Sequence, residues 1–124
     1  MTTAIINQAM LNQAANAECE LGNMQENLRQ EEARLTSISR EVVATLGALK
    51  KAEASAKKLN GCNQAIESRL EQLREALSEM QRLETRSSGI AFSLKKNIAA
   101  FTEQHGETIR LVREYEKAMQ DAGL

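Results

Sequence analysis

Proline and tryptophan are absent from this chain, and aromatic residues are scarce, with two phenylalanines and one tyrosine in 124 residues. A compact globular core of this length usually contains more aromatic side chains, and a β-rich fold needs β-branched and aromatic residues. Good helix formers such as Ala, Leu, Glu, Gln, Lys and Arg dominate instead. The composition therefore predicts an all-α protein whose core is a single layer of aliphatic side chains.

A strong net charge and long apolar runs are also missing. The formal net charge is -1, so the chain has no overall attraction to nucleic acid or to a membrane surface. We expect no membrane contact, because no run of about 18 apolar residues exists. The first residues lack the basic region of a secretory signal, and Cys19 and Cys62 are far apart. We therefore expect a reduced, cytoplasmic protein, with secretion without a cleavable signal left open.

Two helix-forming halves of nearly equal length flank Asn60 and Gly61. Glycine adopts the left-handed backbone that ends a helix without a steric penalty. We therefore expect one domain that forms a long antiparallel helical hairpin, similar to a coiled coil. Its first arm covers about 4–59, its turn 60–63 and its second arm about 64–122. A three- or four-helix bundle is the alternative architecture.

A heptad repeat supports the hairpin and runs without interruption from residue 14 onward, with Ala14 at an a position and Ala17 at a d position. Apolar residues occupy most of its a and d positions on both sides of the turn. Folding the chain at residue 61 sets the a positions of one arm opposite the d positions of the other. Leu49 then faces Leu73, and the small Ala52 faces the large Leu70, as interdigitating core layers require.

We term the line of a and d residues along which the two arms meet the seam. Polar residues interrupt the predicted seam at three neighbouring layers. The pairing sets Glu31 opposite Ala91, Leu35 opposite Ser87, and Ile38 opposite Glu84. Gly89 follows two serines here, and a serine can cap a new helix. The second arm is therefore expected to be either continuous or broken near 86–89.

The residues that could carry out chemistry do not form the groups that enzymes use. His105 is the single histidine, which excludes zinc motifs that need two. The six glycines are scattered, so no phosphate-binding loop is present. Cys19 and Cys62 have no neighbouring histidine or basic pair to activate a thiol. We predict that the protein is not an enzyme and uses no cofactor or metal.

Four lysines near the predicted turn form what we term the basic patch, which consists of Lys50, Lys51, Lys57 and Lys58. They repeat one heptad apart at b and c positions, so we expect them to point outward on one side. A solvated helix face is the plain interpretation, and an acidic protein or a phosphate backbone are the possible ligands. Because no aromatic residue lies among them to stack on bases, a nucleic-acid-associated factor is the secondary hypothesis.

Apolar residues outside the strict seam widen the helix faces beyond what two helices can bury between them. These residues form the predicted partner interface, which consists of Ile5, Ile6, Met10, Leu11, Ile90, Phe92, Ile109 and Leu111. Extensive exposed apolar surface marks an interaction site, although an ordinary internal core would use the same residues. We therefore expect a non-enzymatic protein–protein interaction module, namely an adaptor, assembly factor, small chaperone or inhibitor. It would bind a protein partner or form a homo-oligomer.

Overall fold

The computed structural model describes residues 7–59 and 64–123, which form two long α-helices packed antiparallel as a helical hairpin. Helix α1 comprises Gln8–Lys58, and helix α2 comprises Gln64–Asp121. The predicted all-α hairpin is confirmed in preference to the three- or four-helix bundle. The predicted turn at 60–63 lies outside the described residues.

Local capping sets two of the helix ends. The side chain of Asn7 caps α1, because its Oδ1 accepts a hydrogen bond from the backbone N–H of Met10 at 2.9 Å. At the other end of the chain, α2 stops before Gly123, whose φ of 74° lies in the left-handed region. The N–H of Gly123 donates to the carbonyl of Gln120 at 3.0 Å, which closes the last turn.

Helix α2 continues through residues 86–89, so the predicted alternative of a break there is wrong. Ser87 does not cap a new helix. It is buried in the seam, and its hydroxyl donates a hydrogen bond to the Glu31 carboxylate of α1. Gly89 is exposed on the outside of the helix, where its missing side chain leaves no gap in the packing.

The burial pattern confirms the heptad prediction except near the helix ends, where the d residues Leu59 and Tyr115 are exposed. Every a and d residue from Ala14 to Ala56 in α1 is buried or half-buried, and so is every one from Ile66 to Val112 in α2. Such strict 3.5-residue spacing is characteristic of helices that pack along a narrow seam.

The hairpin contains two compact units. The first unit is Gln30–Ala91, and the second unit combines Met1–Arg29 with Phe92–Leu124. The core of the first unit is a cluster of buried aliphatic side chains, namely Leu49, Ala56, Leu70 and Leu73, with Ala48, Ala52, Ile66 and Leu77 packed against it. The predicted Leu49–Leu73 and Ala52–Leu70 layers both belong to this cluster.

The second unit has a smaller core that combines small and β-branched residues. Ala14 and Ala17 of α1 are buried in it, as are Ile109 and Val112 of α2. An ion pair between Arg113 and Glu18, with Nε and Oε1 separated by 2.7 Å, joins the two helices at the surface of this unit. Because such exposed pairs contribute little, the apolar contacts carry most of its stability.

Two polar layers cross the seam of the first unit. Glu31 Oε1 accepts a hydrogen bond from Ser87 Oγ at 2.6 Å, and Glu31 Oε2 accepts one from Arg34 Nη1 at 3.0 Å. Ser39 Oγ of α1 donates to Glu84 Oε2 of α2 at 2.8 Å. The sequence pairing sets Glu31 opposite Ala91, but the long glutamate side chain reaches the next layer. Directional polar contacts of this kind specify the register of a coiled coil.

Replacement of Ser87 by alanine tests the importance of the Glu31 layer. Ser87→Ala removes the hydroxyl donor and leaves a buried carboxylate oxygen without that partner. We expect the free energy of unfolding to fall by about 1–3 kcal/mol. Urea denaturation followed by circular dichroism measures this change.

The adjacent serine provides the matched control. Ser88 is exposed, so Ser88→Ala should change the free energy of unfolding by less than about 0.5 kcal/mol. Equal effects of the two substitutions would contradict a stabilising role for the Glu31–Ser87 hydrogen bond.

Candidate interaction surface

The residues of the predicted partner interface lie in different environments. Ile5 and Ile6 are outside the described residues. Met10, Leu11 and Leu111 are half-buried in the second unit. Ile109 is buried in the core of the same unit, because the helix faces there are wide enough to enclose a residue beside the seam. In the monomer, the Ile109 side chain is therefore not available to a partner.

Two members of the predicted interface are exposed. Ile90 has 38% of its surface exposed and belongs to the first unit, whereas Phe92 has 64% exposed and belongs to the second. The ammonium group of Lys96 lies 5.6 Å from the centroid of the Phe92 ring, a cation–π contact that covers part of the ring.

Other exposed apolar residues were missed by the sequence analysis. They are Val43, Leu46, Leu59 and Leu83 in the first unit and Tyr115 in the second. The signal was present, because Val43, Leu46 and Leu83 each directly follow or precede a seam residue and so widen the apolar face. Six of the eight residues of the predicted interface lie near the ends of the chain, whereas Val43, Leu46 and Leu83 lie in its middle.

The first of two surfaces in the first unit is what we term the Val43 face. It is a groove of about 530 Å³ lined by Leu35, Thr36, Ser39, Arg40 and Val43. These residues are spaced three or four apart along α1, so they share one side of the helix. With 71% of its surface exposed, Val43 is the most exposed large apolar residue of the described chain. Leu35 and Val43 provide the apolar side chains of the groove, and Thr36, Ser39 and Arg40 provide the polar ones.

The second surface is what we term the Ile90 face. It is a depression of about 250 Å³ with three apolar residues, Ile38, Leu83 and Ile90, and two arginines, Arg34 and Arg86, while Glu31 and Ser87 also line it. Leu83 and Ile90 are one heptad apart and each has 38% of its surface exposed. The Ile90 face uses g positions of the heptad, whereas Ser39 of the Val43 face is an e position. The two faces therefore lie on opposite sides of the seam.

All four lysines of the basic patch are exposed on α1. Lys57 and Lys58 lie in the last turn of α1, where cations interact favourably with the helix dipole. None of the four makes an ion pair with another residue in the described ranges. The described aromatic residues all belong to the second unit, whereas the basic patch belongs to the first.

The single histidine and the described cysteine have ordinary environments. His105 is half-buried, and its ring centroid lies 4.4 Å from that of Phe101. Cys19 is an exposed free thiol, and Cys62 lies outside the described residues. Within residues 7–59 and 64–123, no three histidine, cysteine or acidic side chains come together as metal ligands.

Ion pairs three residues apart on the helix surface shift the pKa values of two carboxylates. The hydrogen bond from Arg82 lowers the pKa of Glu79, and the positive charge of Arg82 adds to the effect. Arg110 lowers the pKa of Glu107 in the same way. Both carboxylates are therefore ionised and paired at neutral pH, although their exposure limits their contribution to stability.

The effect of Arg82 on Glu79 can be measured by NMR titration of the Glu79 side-chain carboxyl. In Arg82→Gln, the pKa of Glu79 should rise toward its ordinary value. Because the pKa of Glu79 is lower in the folded chain than in the unfolded chain, the pair stabilises the fold fully at pH values above the unfolded pKa. This contribution is lost as the pH falls through the lower, folded pKa. Arg86→Gln is the control and should leave the pKa of Glu79 unchanged. If both variants raised the pKa of Glu79 equally, the specific pairing with Arg82 would be refuted.

No protein-family model, curated protein or solved structure matches this chain. The helices in the described part of the chain contain no stretch that is both long and apolar enough to span a lipid bilayer. The structure itself defines the class of the protein, an all-α helical hairpin. The most distinctive features of its surface are the Val43 face and the Ile90 face.

Proposed function

We propose that this hairpin is a non-enzymatic protein–protein interaction module that binds helices of its partner along the Val43 face and the Ile90 face. The observation that supports the proposal is an incompletely enclosed core. Among the described residues, no side chain is completely buried, and large apolar side chains are exposed on both sides of the seam. Exposed apolar surface of this kind is typical of interaction sites.

The geometry of helix packing explains how a partner would bind. Leu35 and Ile38 are seam residues, yet both are only half-buried, and each also lines one of the two faces. A further helix packed about 8–10 Å from α1 and α2 would cover the outer sides of these residues. The complex would then resemble a three- or four-helix bundle, with the core completed by the partner.

The size of the hydrophobic effect favours an extended contact. Full burial of one exposed large aliphatic side chain contributes about 1.5–3 kcal/mol. Association costs about 4–15 kcal/mol in lost translational and rotational freedom. Several side chains must therefore be covered together, which a helix lying along a face achieves and a contact at one point does not.

The proposed module could act as an adaptor, an assembly factor, a small chaperone or an inhibitor, since each of these covers a helical or apolar surface of its partner. The cytoplasm is the proposed compartment on the basis of the sequence alone.

Charge substitutions within the two faces test the proposal. Val43→Glu and Ile90→Glu place a carboxylate where a partner helix would pack, and we expect each to reduce complex formation at least tenfold, because each removes an apolar anchor and brings a hydrated charged group into the contact. The measurement is quantitative mass spectrometry of proteins captured by the purified chain from a lysate of its source organism. Light scattering on the same samples detects self-association.

The matched control is Ala33→Glu, which adds the same charge at an exposed f position of α1, away from both faces. It should leave capture unchanged, and circular dichroism should report the same helicity for all three variants. Equal capture by Val43→Glu, Ile90→Glu and Ala33→Glu would refute docking through these faces.

A nucleic-acid-associated factor is the second candidate function, and the exposed, unpaired lysines of the basic patch favour it. If phosphates bind there, affinity for a labelled DNA oligonucleotide should fall steeply between about 50 and 200 mM salt. Substitution of all four lysines by glutamine should abolish that binding. We expect the primary function to be apolar docking, so DNA binding at 150 mM salt should be equally weak for the wild type and the four-lysine variant.

A further inference from the structure

The Ile90 face differs from the Val43 face in its charge. Two guanidinium groups, those of Arg34 and Arg86, lie beside its three apolar residues. The side chain of Arg34 is 65% exposed, and within the described residues only one of its five N–H donors is used, in the bond to Glu31. Arg86 is exposed and makes no ion pair with any residue in the described ranges. Donors on both arginines are therefore available to a ligand.

The one carboxylate in the depression does not cancel this charge for an incoming partner. Glu31 is buried, and both of its oxygens are occupied, one by Ser87 and the other by Arg34. Among the residues that line the depression, Glu31 and Arg34 approximately neutralise each other, and Arg86 adds one positive charge. An approaching molecule meets an apolar floor with cationic groups at its edge.

A second copy of this chain is a poor occupant for this surface. Two identical subunits that associate through one face form a two-fold contact in which the same patch meets itself. Such a contact would bring the arginines of one subunit toward those of the other. Like charges facing each other across an interface oppose association, and this specifically disfavours a homodimer through the Ile90 face.

We infer that the Ile90 face binds an amphipathic helix of another protein that carries acidic side chains next to its aliphatic anchors. Guanidinium groups recognise carboxylates through two parallel hydrogen bonds, which fix both charge and orientation. Leu83 and Ile90 are separated by about 10.5 Å along α2, so they match aliphatic residues spaced about seven apart on the partner helix. This inference rests on the proposed docking function and names the chemistry of the partner.

A library of displayed peptides provides the test, because it supplies partner helices of known chemistry. Each peptide is an amphipathic helix with leucines at positions i, i+3 and i+7, and each flanking position carries either glutamate or lysine. Selection is carried out against the full-length chain, and bound peptides are counted by sequencing. We expect glutamate-flanked helices to be enriched about fivefold over lysine-flanked ones, which is the effect of an exposed ion pair of up to 1 kcal/mol.

Three variants of the chain attribute the preference to particular residues. Arg86→Glu reverses the charge at the edge of the face and should abolish or reverse the preference for glutamate. Lys57→Glu makes the same charge change in the basic patch, outside both faces, and should leave the preference intact. Ile90→Ser removes the aliphatic side chain from the floor without adding a charge and should reduce enrichment of every peptide. The affinity of one selected glutamate-flanked peptide should also fall between about 50 and 200 mM salt, as expected of a contact with exposed charges.

The outcomes separate this inference from the proposed function. If both peptide types are enriched equally and Ile90→Ser abolishes the enrichment, an acidic partner is ruled out while apolar docking is retained. If no peptide is enriched, both proposals are contradicted. If light scattering detects self-association that Ile90→Glu removes, the occupant is a second copy, which also overturns the inference.

Discussion

The packing of two helices against each other, with no third layer, determines the main properties of this structure. In a two-helix seam, each core side chain is covered only by the facing helix. The two edges of the seam are therefore open to solvent. The buried cluster around Leu49 and Leu70 is correspondingly small, and Leu35 and Ile38 are only half-buried. The open edges and the exposed residues beside them are the same surface that we propose for partner binding. The degree to which the seam is enclosed therefore affects both the stability of the hairpin and the function that we propose for it.

Hydrophobic contact alone does not fix how two such helices align, because aliphatic layers repeat every heptad. The hydrogen bond between Ser87 and Glu31 supplies direction, since a shift by one heptad would separate these two residues. The Glu31 carboxylate would then be buried without that partner, at a cost of about 1–3 kcal/mol. Ser39 and Glu84 form a second directional contact in the same unit. The polar layers thus contribute more to a unique alignment than to net stability, which is a recognised use of polar groups in coiled coils.

The hairpin was predictable because its main determinant is a periodicity that can be read directly from the sequence. The continuity of α2 through residues 86–89 was not, because serine and glycine are local signals and Ser87 is held by a partner 56 residues away. A glycine in a helix costs only about 1 kcal/mol, which tertiary packing easily exceeds. The exposure of the predicted interface residues could be anticipated only in part, because Ile90 and Phe92 are exposed but Ile109 is buried. Off-seam position alone does not determine exposure, which also depends on how closely the two helices approach.

The contacts that cross the hairpin also differ in how much chain each one closes. Thr45 and Met80 are 35 residues apart in sequence, whereas Glu18 and Arg113 are 95 apart. The entropy lost on closing a loop grows with the logarithm of its length, so the longer closure costs about 0.9 kcal/mol more if it forms independently. Once the contact with the shorter loop has formed, each additional contact farther along the arms closes only a short loop of a few residues. Folding is therefore expected to begin with short-range pairs and spread outward along the two arms, a route that keeps contact order low at each step.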